Sequence, residues 1–161
     1  MSVNKDRPHV LVLPEDEANR QLAEGFHLEV DWTQQRQMQI LPVAHGWKKV
    51  LNLFKMVHVV EMNRYPHRFM ILLIDLDNKE ERLEEAKAVI PSQLKDRAFI
   101  LATLSKPEHL KPSLGPFYET IGSKLAKDCR GETNPTWEHD LLKHNASELD
   151  RLRHHVRPIL F

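Results

Sequence analysis

Two aspartates, separated by one leucine, follow a run of six apolar residues. The run extends from Phe69 to Ile74, and Asp75 and Asp77 follow in the segment LLIDLDN. Residues i and i+2 of a strand point to the same side, so two carboxylates at this spacing could converge on one point. Like charges held that close repel unless one is protonated or a cation bridges them. Oxygen ligands on a short acidic segment suit Mg²⁺ or Mn²⁺. The alternative is that Asp75 caps the next helix and Asp77 is solvated.

The elements that would position these aspartates alternate along the chain. Apolar runs predict four strands, at His9 to Leu13, Met38 to Ala44, Phe69 to Ile74 and Ala98 to Thr103. Helical spacing of apolar residues predicts helices between them, near residues 15–26, 45–62 and 80–89. Gly25 stands where the first helix would end. Because such alternation implies parallel pairing through right-handed crossovers, we predict an α/β fold with a mostly parallel four-stranded sheet flanked by helices.

The pattern changes after the fourth strand. Three prolines indicate a loop in LSKPEHLKPSLGP, and FYETIGSKLAKDC predicts a helix. The last segment predicts one long C-terminal helix with an apolar stripe that packs on the sheet or on another protein. That stripe comprises Trp137, Leu141, Leu149, Leu152 and Val156. We expect one domain over residues 1–161, with a core at 8–104 and a loop and helical extension at 105–161.

Composition limits the classes of function. Lys and Arg together number 23, as do Asp and Glu, so the formal net charge is zero. A protein that binds duplex DNA alone usually has a basic excess, so any basic surface here would be local or supplied by a partner. A single cysteine, Cys129, excludes a disulfide framework and a thiolate metal cage. No stretch is long enough to span a membrane, which favours a soluble cytoplasmic protein without membrane contact.

Two more segments complete an ordered set that resembles the Toprim domain. PEDE follows the first strand with Glu15, and AHGWKK follows the second with Gly46. Toprim domains have a Glu closing the first strand, a Gly after the second and a DxD closing the third. The resemblance is closest to the Toprim domain of overcoming-lysogenization-defect type nucleases. Two departures exist: Asp16 replaces a common Gly, and Asn78 and Lys79 replace a common acid or Gly.

The resemblance covers residues 8–104 and implies Mg²⁺- or Mn²⁺-dependent phosphodiester chemistry on nucleic acid. Asp75 and Asp77 would hold the ion, and Glu15 would be a further ligand or the general acid/base. No tyrosine is placed for covalent catalysis, so hydrolysis by a small standalone nuclease is favoured over strand passage. By analogy with the family, we also expect a partner ATPase or DNA-binding protein, or a homo-oligomer. The same analogy suggests a role in defence against phage or mobile elements.

Residues near these positions are further candidates for the site. They are Glu17, Gly46, His45, Lys48, Lys49 and Glu108. Glu17 competes with Glu15 if the strand continues, but points elsewhere once the helix starts. His45 and the two lysines could contact phosphate or act as ordinary surface residues, and Gly46 would let backbone amides approach an anion. Glu108 lies in the loop after the fourth strand and could reach the same edge.

Two other functions remain open from the sequence. Phosphatases of the haloacid dehalogenase type also end a strand with DxD, but on their first strand and with Thr where Lys79 stands here. A non-catalytic Toprim-like interaction subunit of a larger nucleic-acid-processing assembly would fit the zero net charge and the amphipathic C-terminal segment.

Overall fold

Four parallel strands form one sheet in the computed structural model, which describes residues 2–161. The strands are β1 (His9–Pro14), β2 (Met38–Ile40), β3 (Arg68–Asp75) and β4 (Ala98–Thr103). Their order is β2-β1-β3-β4, and every neighbouring pair is parallel. The predicted α/β fold is therefore confirmed. The carboxyl ends of β1 and β3 lie side by side, and Asp75 aligns with Thr103 of β4.

Helices cover both faces of this sheet. They are α1 (Glu17–Leu28), α2 (Trp47–Leu53), α3 (Val59–Arg64), α4 (Glu81–Ala88), α5 (Lys111–Leu114), α6 (Tyr118–Arg130), α7 (Ala146–His155) and α8 (Arg157–Leu160). A π-helical segment, Phe54–His58, joins α2 to α3. One hydrophobic cluster lies between the sheet and α1, α6 and α7, and a second lies under α2, α3 and α4. Within residues 2–161, no helix has both the length and the apolar content to cross a membrane.

The apolar run of β3 is explained by burial on both sides. Met70, Leu72 and Ile74 face the cluster under α2 and α4, whereas Ile71 and Leu73 face the cluster under α1 and α6. Side chains alternate along a strand, so Asp75 comes next on the α1 face. The sequence of β3 thus places this carboxylate against the start of α1.

Strand β2 ends at Ile40, before the predicted end at Ala44. Pro42 has no N–H and cannot continue the ladder of hydrogen bonds. The chain nevertheless stays beside β1, because the Ala44 amide donates to Pro14 O at 3.0 Å. The His45 amide then donates to Glu15 O at 2.8 Å. The turn before α2 is therefore fixed next to the end of β1.

Gly25 lies inside α1 instead of ending it. A Cβ at this position would lie 2.0 Å from Glu119 O, and one at Gly122 would lie 2.0 Å from Leu22 O. The backbones of α1 and α6 thus approach too closely for a side chain at their crossing. The predicted helix end at Gly25 is wrong because this glycine allows the crossing and does not cap the helix.

The predicted long C-terminal helix is also wrong, since α7 begins only at Ala146. Asn145 lies just before this helix, and its side chain pairs with the backbone at the outer edge of β4. Its side chain accepts a hydrogen bond from Ala102 N at 3.0 Å and donates one to Ala102 O at 2.8 Å. Glu148 accepts another from Ile100 N at 2.8 Å, so side chains occupy the place of a fifth strand. The predicted packing of the apolar stripe within the chain is confirmed for Trp137, Leu149, Leu152 and Val156, all of which are buried.

Candidate acidic site at the carboxyl ends of the strands

A polar cleft of about 510 Å³ lies where β1, β3 and β4 end. Its lining includes five acids, which are Glu15, Asp16, Asp75, Asp77 and Glu108, together with Arg82, Lys106 and Tyr118. Ligands of open parallel sheets usually bind at the carboxyl ends of the strands. The structure therefore brings the three acids of the Toprim-like set, and the loop residue Glu108, to one cleft.

Glu15 and Asp75 are in direct contact across neighbouring strands. The backbone amide of Asp75 donates a hydrogen bond to Oε2 of Glu15 at 2.6 Å. Burial raises the pKa of Glu15, and the charge of Asp16 adds to this, while the amide of Asp75 opposes it. The first-strand acid is thus held against the third-strand acid at the same edge of the sheet.

Asp75 is the most strongly perturbed acid of the cleft. Burial raises its pKa to about 8, and the negative charges of Asp16 and Glu15 contribute to the rise. The amide of Asn19 partly offsets this by donating to Oδ1 of Asp75 at 3.3 Å. At neutral pH the Asp75 carboxyl therefore keeps a proton unless another positive charge replaces it.

Asp16 joins the site through the start of α1. Its side chain accepts a hydrogen bond from Asn19 N at 3.0 Å and thereby caps the helix. This cap fixes the first turn of α1, so Asn19 can reach Asp75 from the same turn. The residue that departs from the Toprim pattern is thus one of the acids that surround Asp75.

Asp77 differs from the other acids because β3 ends at Asp75. The backbone of Asp77 and Asn78 is left-handed, with φ of 50° and 58°. The Asp77 side chain is 62% exposed, and its Oδ2 lies 3.8 Å from Nη2 of Arg82. The expectation that strand periodicity aligns Asp75 with Asp77 is therefore wrong, although both residues line the cleft.

Several predicted candidates lie outside the lining of this cleft. Glu17 is in the first turn of α1, exposed, and paired with Arg20, which lowers the pKa of Glu17 to about 2. The helix has already started there, so Glu17 does not compete with Glu15. The side chains of His45, Lys48 and Lys49 are also exposed, and they too lie outside the lining.

Gly46 contributes through its backbone. Its φ of 145° lies in a region that favours glycine, and its amide lies 3.3 Å from Glu15 O. The amides of this turn therefore hold the main chain of Glu15. We expected these amides to approach an anionic ligand, but in this structure they approach a carbonyl.

The donor chemistry of the cleft fits a hard divalent cation, since the acids supply only oxygen ligands. Even so, no three His, Cys, Asp or Glu side chains within residues 2–161 are arranged to hold a metal ion. The Glu15 carboxylate is bonded to the backbone amide of Asp75, and the Asp77 carboxylate lies beside Arg82. The oxygen donors of the site therefore fit Mg²⁺ or Mn²⁺, but the acids among residues 2–161 are not arranged as a three-ligand metal site.

Asn19 and Arg82 are site residues that the sequence analysis missed. Asn19 is 2% exposed and shares the buried face of α1 with Leu22 and Ala23. Its position at i, i+3, i+4 with those two residues is a detectable signal, because a polar residue on an apolar stripe needs a buried partner. Arg82 gives no such signal, since it lies in a run of charged residues.

Comparisons with family models, with curated proteins and with solved structures find no match to this chain.

Proposed function

We propose that the protein carries out divalent-cation-dependent phosphodiester chemistry on nucleic acid, as a small nuclease, in the acidic cleft. The observation that carries the proposal is the 2.6 Å hydrogen bond from the Asp75 amide to the Glu15 carboxylate. The resemblance implies a site built on acids that follow the first and third strands, and the contact between Glu15 and Asp75 supports the proposal for that reason. The resemblance at Gly46 and at the DxD segment supports the same proposal.

Glu15 and Asp75 would hold Mg²⁺ or Mn²⁺, and Asp16 or Asp77 would complete the ligand set. When bound, the cation supplies Lewis-acid polarisation of a phosphate oxygen and neutralises developing charge. The raised pKa of Asp75 supports this assignment, since a cluster of buried carboxyls that retains a proton can exchange it for a cation. Glu15, with its raised pKa, is the residue suited to move a proton to or from the reacting oxygen.

In this proposal, Arg82 links the binding of substrate to the position of Asp77, a candidate third ligand. Its guanidinium lies over the Trp47 ring at 4.8 Å and beside Asp77 at 3.8 Å. A phosphate that enters the cleft would compete with Asp77 for this guanidinium. Asp77, which is exposed and on a turn, would then be released toward the other acids.

A second candidate function is a non-catalytic interaction subunit of a nucleic-acid-processing assembly. The observation that favours it is the lack of a three-ligand arrangement among residues 2–161. In that case the acidic cleft would be a remnant that no longer holds a cation.

A cleavage assay on purified protein separates the two functions. Plasmid and single-stranded DNA or RNA would be incubated with Mg²⁺ or Mn²⁺, with EDTA as the metal-free reference. We expect Asp75→Asn to reduce cleavage by about 100-fold or more, a typical loss when one charge-stabilising group is removed. Asp140→Asn is the matched control, since the Asp140 side chain is 90% exposed and lies outside the cleft lining. Cleavage retained by Asp75→Asn would contradict the assignment, and no metal-dependent cleavage by the unmodified protein would favour the subunit.

A further inference from the structure

Three cations surround one tyrosine at the opposite end of the sheet. Lys5 Nζ lies 4.8 Å from the centre of the Tyr65 ring, and the guanidinium carbons of Arg64 and Arg68 lie at 5.3 Å and 4.8 Å. Arg68 is the first residue of β3, so this cluster, the Tyr65 cluster, lies at the amino ends of the strands. It is separated from Asp75 by the whole eight-residue strand, about 23 Å.

Arg68 is largely buried, but its terminal nitrogens are free to meet a ligand. Its side chain is 7% exposed, and Nε donates a hydrogen bond to Nε2 of His9 at 3.1 Å. The carboxylate paired with it, Glu61, is 3.9 Å from Nη1, too far for a hydrogen bond. Among residues 2–161, the two terminal nitrogens make no hydrogen bond to a protein atom. Burial lowers the pKa of Arg68. Neither terminal nitrogen is among the buried polar atoms of residues 2–161 that lack a hydrogen-bond partner, so both remain open to solvent.

Around Tyr65, cations outnumber the acids that pair with them. Among the residues that the structure describes, Glu61 is the one acid paired with Arg68, against three cations on the Tyr65 ring. Burial and the charge of Arg68 lower the pKa values of His9 and His58, so these imidazoles remain neutral near pH 7. Cation–π contacts contribute only about 0.5–1 kcal/mol each at exposed sites, which does not remove the mutual repulsion of the cations.

Hydrogen bonds from Arg97 hold the backbone around Tyr65. Nη1 of Arg97 donates to the carbonyl oxygens of Met62, Tyr65 and Arg68 at 3.1, 3.2 and 2.9 Å. These bonds tie the end of α3 to the start of β3 and offset the negative end of the helix dipole. Arg64 and Arg68 therefore flank a turn that Arg97 holds by its carbonyls, and Lys5 reaches the Tyr65 ring from the N-terminal segment.

We infer that the Tyr65 cluster binds a phosphate group, either free or within a nucleic-acid backbone, separately from the acidic cleft. The planar guanidinium of Arg68 offers unpaired N–H donors that match phosphate oxygens, and Lys5 and Arg64 are exposed arms that can close on the remaining oxygens. An anion carrying more than one negative charge would balance the three cations.

Isothermal titration with inorganic phosphate at constant ionic strength tests this site. EDTA is present throughout, so that the acidic cleft holds no cation and the outcome does not depend on the proposed function. The test variant is Lys5→Ala with Arg64→Ala, since both side chains are exposed and the fold should persist. The matched control is Lys55→Ala with Lys95→Ala, which removes the same charge from other exposed positions.

We expect phosphate to bind the unmodified protein and the control, and to bind the test variant about tenfold or more weakly, because two charge-assisted contacts are lost. Equal affinity of test and control variants, or no binding by the unmodified protein, would overturn the inference. Competition by a short oligothymidylate would assign the site to a nucleic-acid backbone, and failure to compete would assign it to free phosphate.

Discussion

The two ends of the strands carry opposite charge. At the carboxyl ends, burial raises the pKa of Asp75 to about 8, and the negative charges of Asp16 and Glu15 add to the rise. At the amino ends, Arg68 is buried, and Lys5 and Arg64 lie over the same tyrosine ring as Arg68. The formal net charge of zero therefore hides two local concentrations of like charge.

In our proposals, each end takes up an ion of the opposite sign. A cluster of buried like charges is costly unless it is protonated, paired or occupied by a ligand. The acidic end can hold a proton in place of a cation, whereas arginine cannot release its proton to relieve the cationic end. We therefore expect the two ends to respond differently to pH and to added ions.

The largest expected effect follows from changing Glu15. Glu15→Gln removes the charge but keeps an oxygen for the Asp75 amide, so the fold should be retained. We expect metal-dependent cleavage to fall by about 100-fold or more, because a ligand and the general acid/base are lost together. Glu17→Gln is the control two residues away, and cleavage rates at saturating Mg²⁺ are the measurement. Equal rates for the two variants would remove Glu15 from the site.

A second prediction concerns pH and the stability of the metal-free protein. Unfolded Asp has a pKa near 3.9, whereas folded Asp75 has a pKa of about 8, so only the folded state holds this proton between those values. The proton on Asp75 therefore stabilises the folded state at low pH, and the free energy of unfolding falls as pH rises from about 4 to 8. An asparagine does not ionise, so the stability of Asp75→Asn should not fall in this pH range. We expect the variant to be about 2 kcal/mol more stable than the unmodified protein at pH 8, a figure reduced from the full pKa shift because Asp75 is partly exposed.

Urea unfolding at pH 4.5 and pH 8 in EDTA measures this effect. Asp75→Asn and the unmodified protein should differ little at the lower pH and clearly at the higher one. A constant difference at both pH values would mean that Asp75 is not protonated in the folded state.

A smaller effect is expected at the amino ends from Glu61→Gln. This change removes the carboxylate nearest to Arg68, so the repulsion around Tyr65 should increase. We expect a loss of about 1 kcal/mol in stability, which phosphate partly restores and chloride at equal ionic strength does not. Glu84→Gln is the control, since Glu84 is exposed and pairs with Lys87 at 3.8 Å. Thermal unfolding in the two salts provides the measurement, and identical shifts for both variants would contradict the account.

The fold and half of the acidic site could be predicted from local sequence patterns. The apolar run of β3 and its end at Asp75 follow from a strand buried on both faces. Glu15 and Asp75 could be placed at one edge because parallel strands share their carboxyl ends. The position of Asp77 could not be predicted, since its left-handed backbone depends on how the chain turns after Leu76.

Contacts between distant residues explain the rest of what the sequence analysis missed. Gly25 has the signature of a helix end, and only the crossing with α6 shows why it lies inside α1. Asn145 interrupts a helical pattern because it bonds to Ala102, 43 residues earlier. The Tyr65 cluster unites residues 5, 64, 65 and 68, and nothing local in the sequence links Lys5 to that loop.

Binding of Mn²⁺ tests the central claim most directly, because it asks whether the acids of the cleft share one cation irrespective of substrate or partner. Titration of the protein with Mn²⁺, followed by electron paramagnetic resonance of the free ion, gives stoichiometry and affinity. We predict one site per chain in the unmodified protein and in Asp140→Asn, and loss of that site in Glu15→Gln and Asp75→Asn. Unchanged binding in those two variants, or no binding by the unmodified protein, would contradict the account.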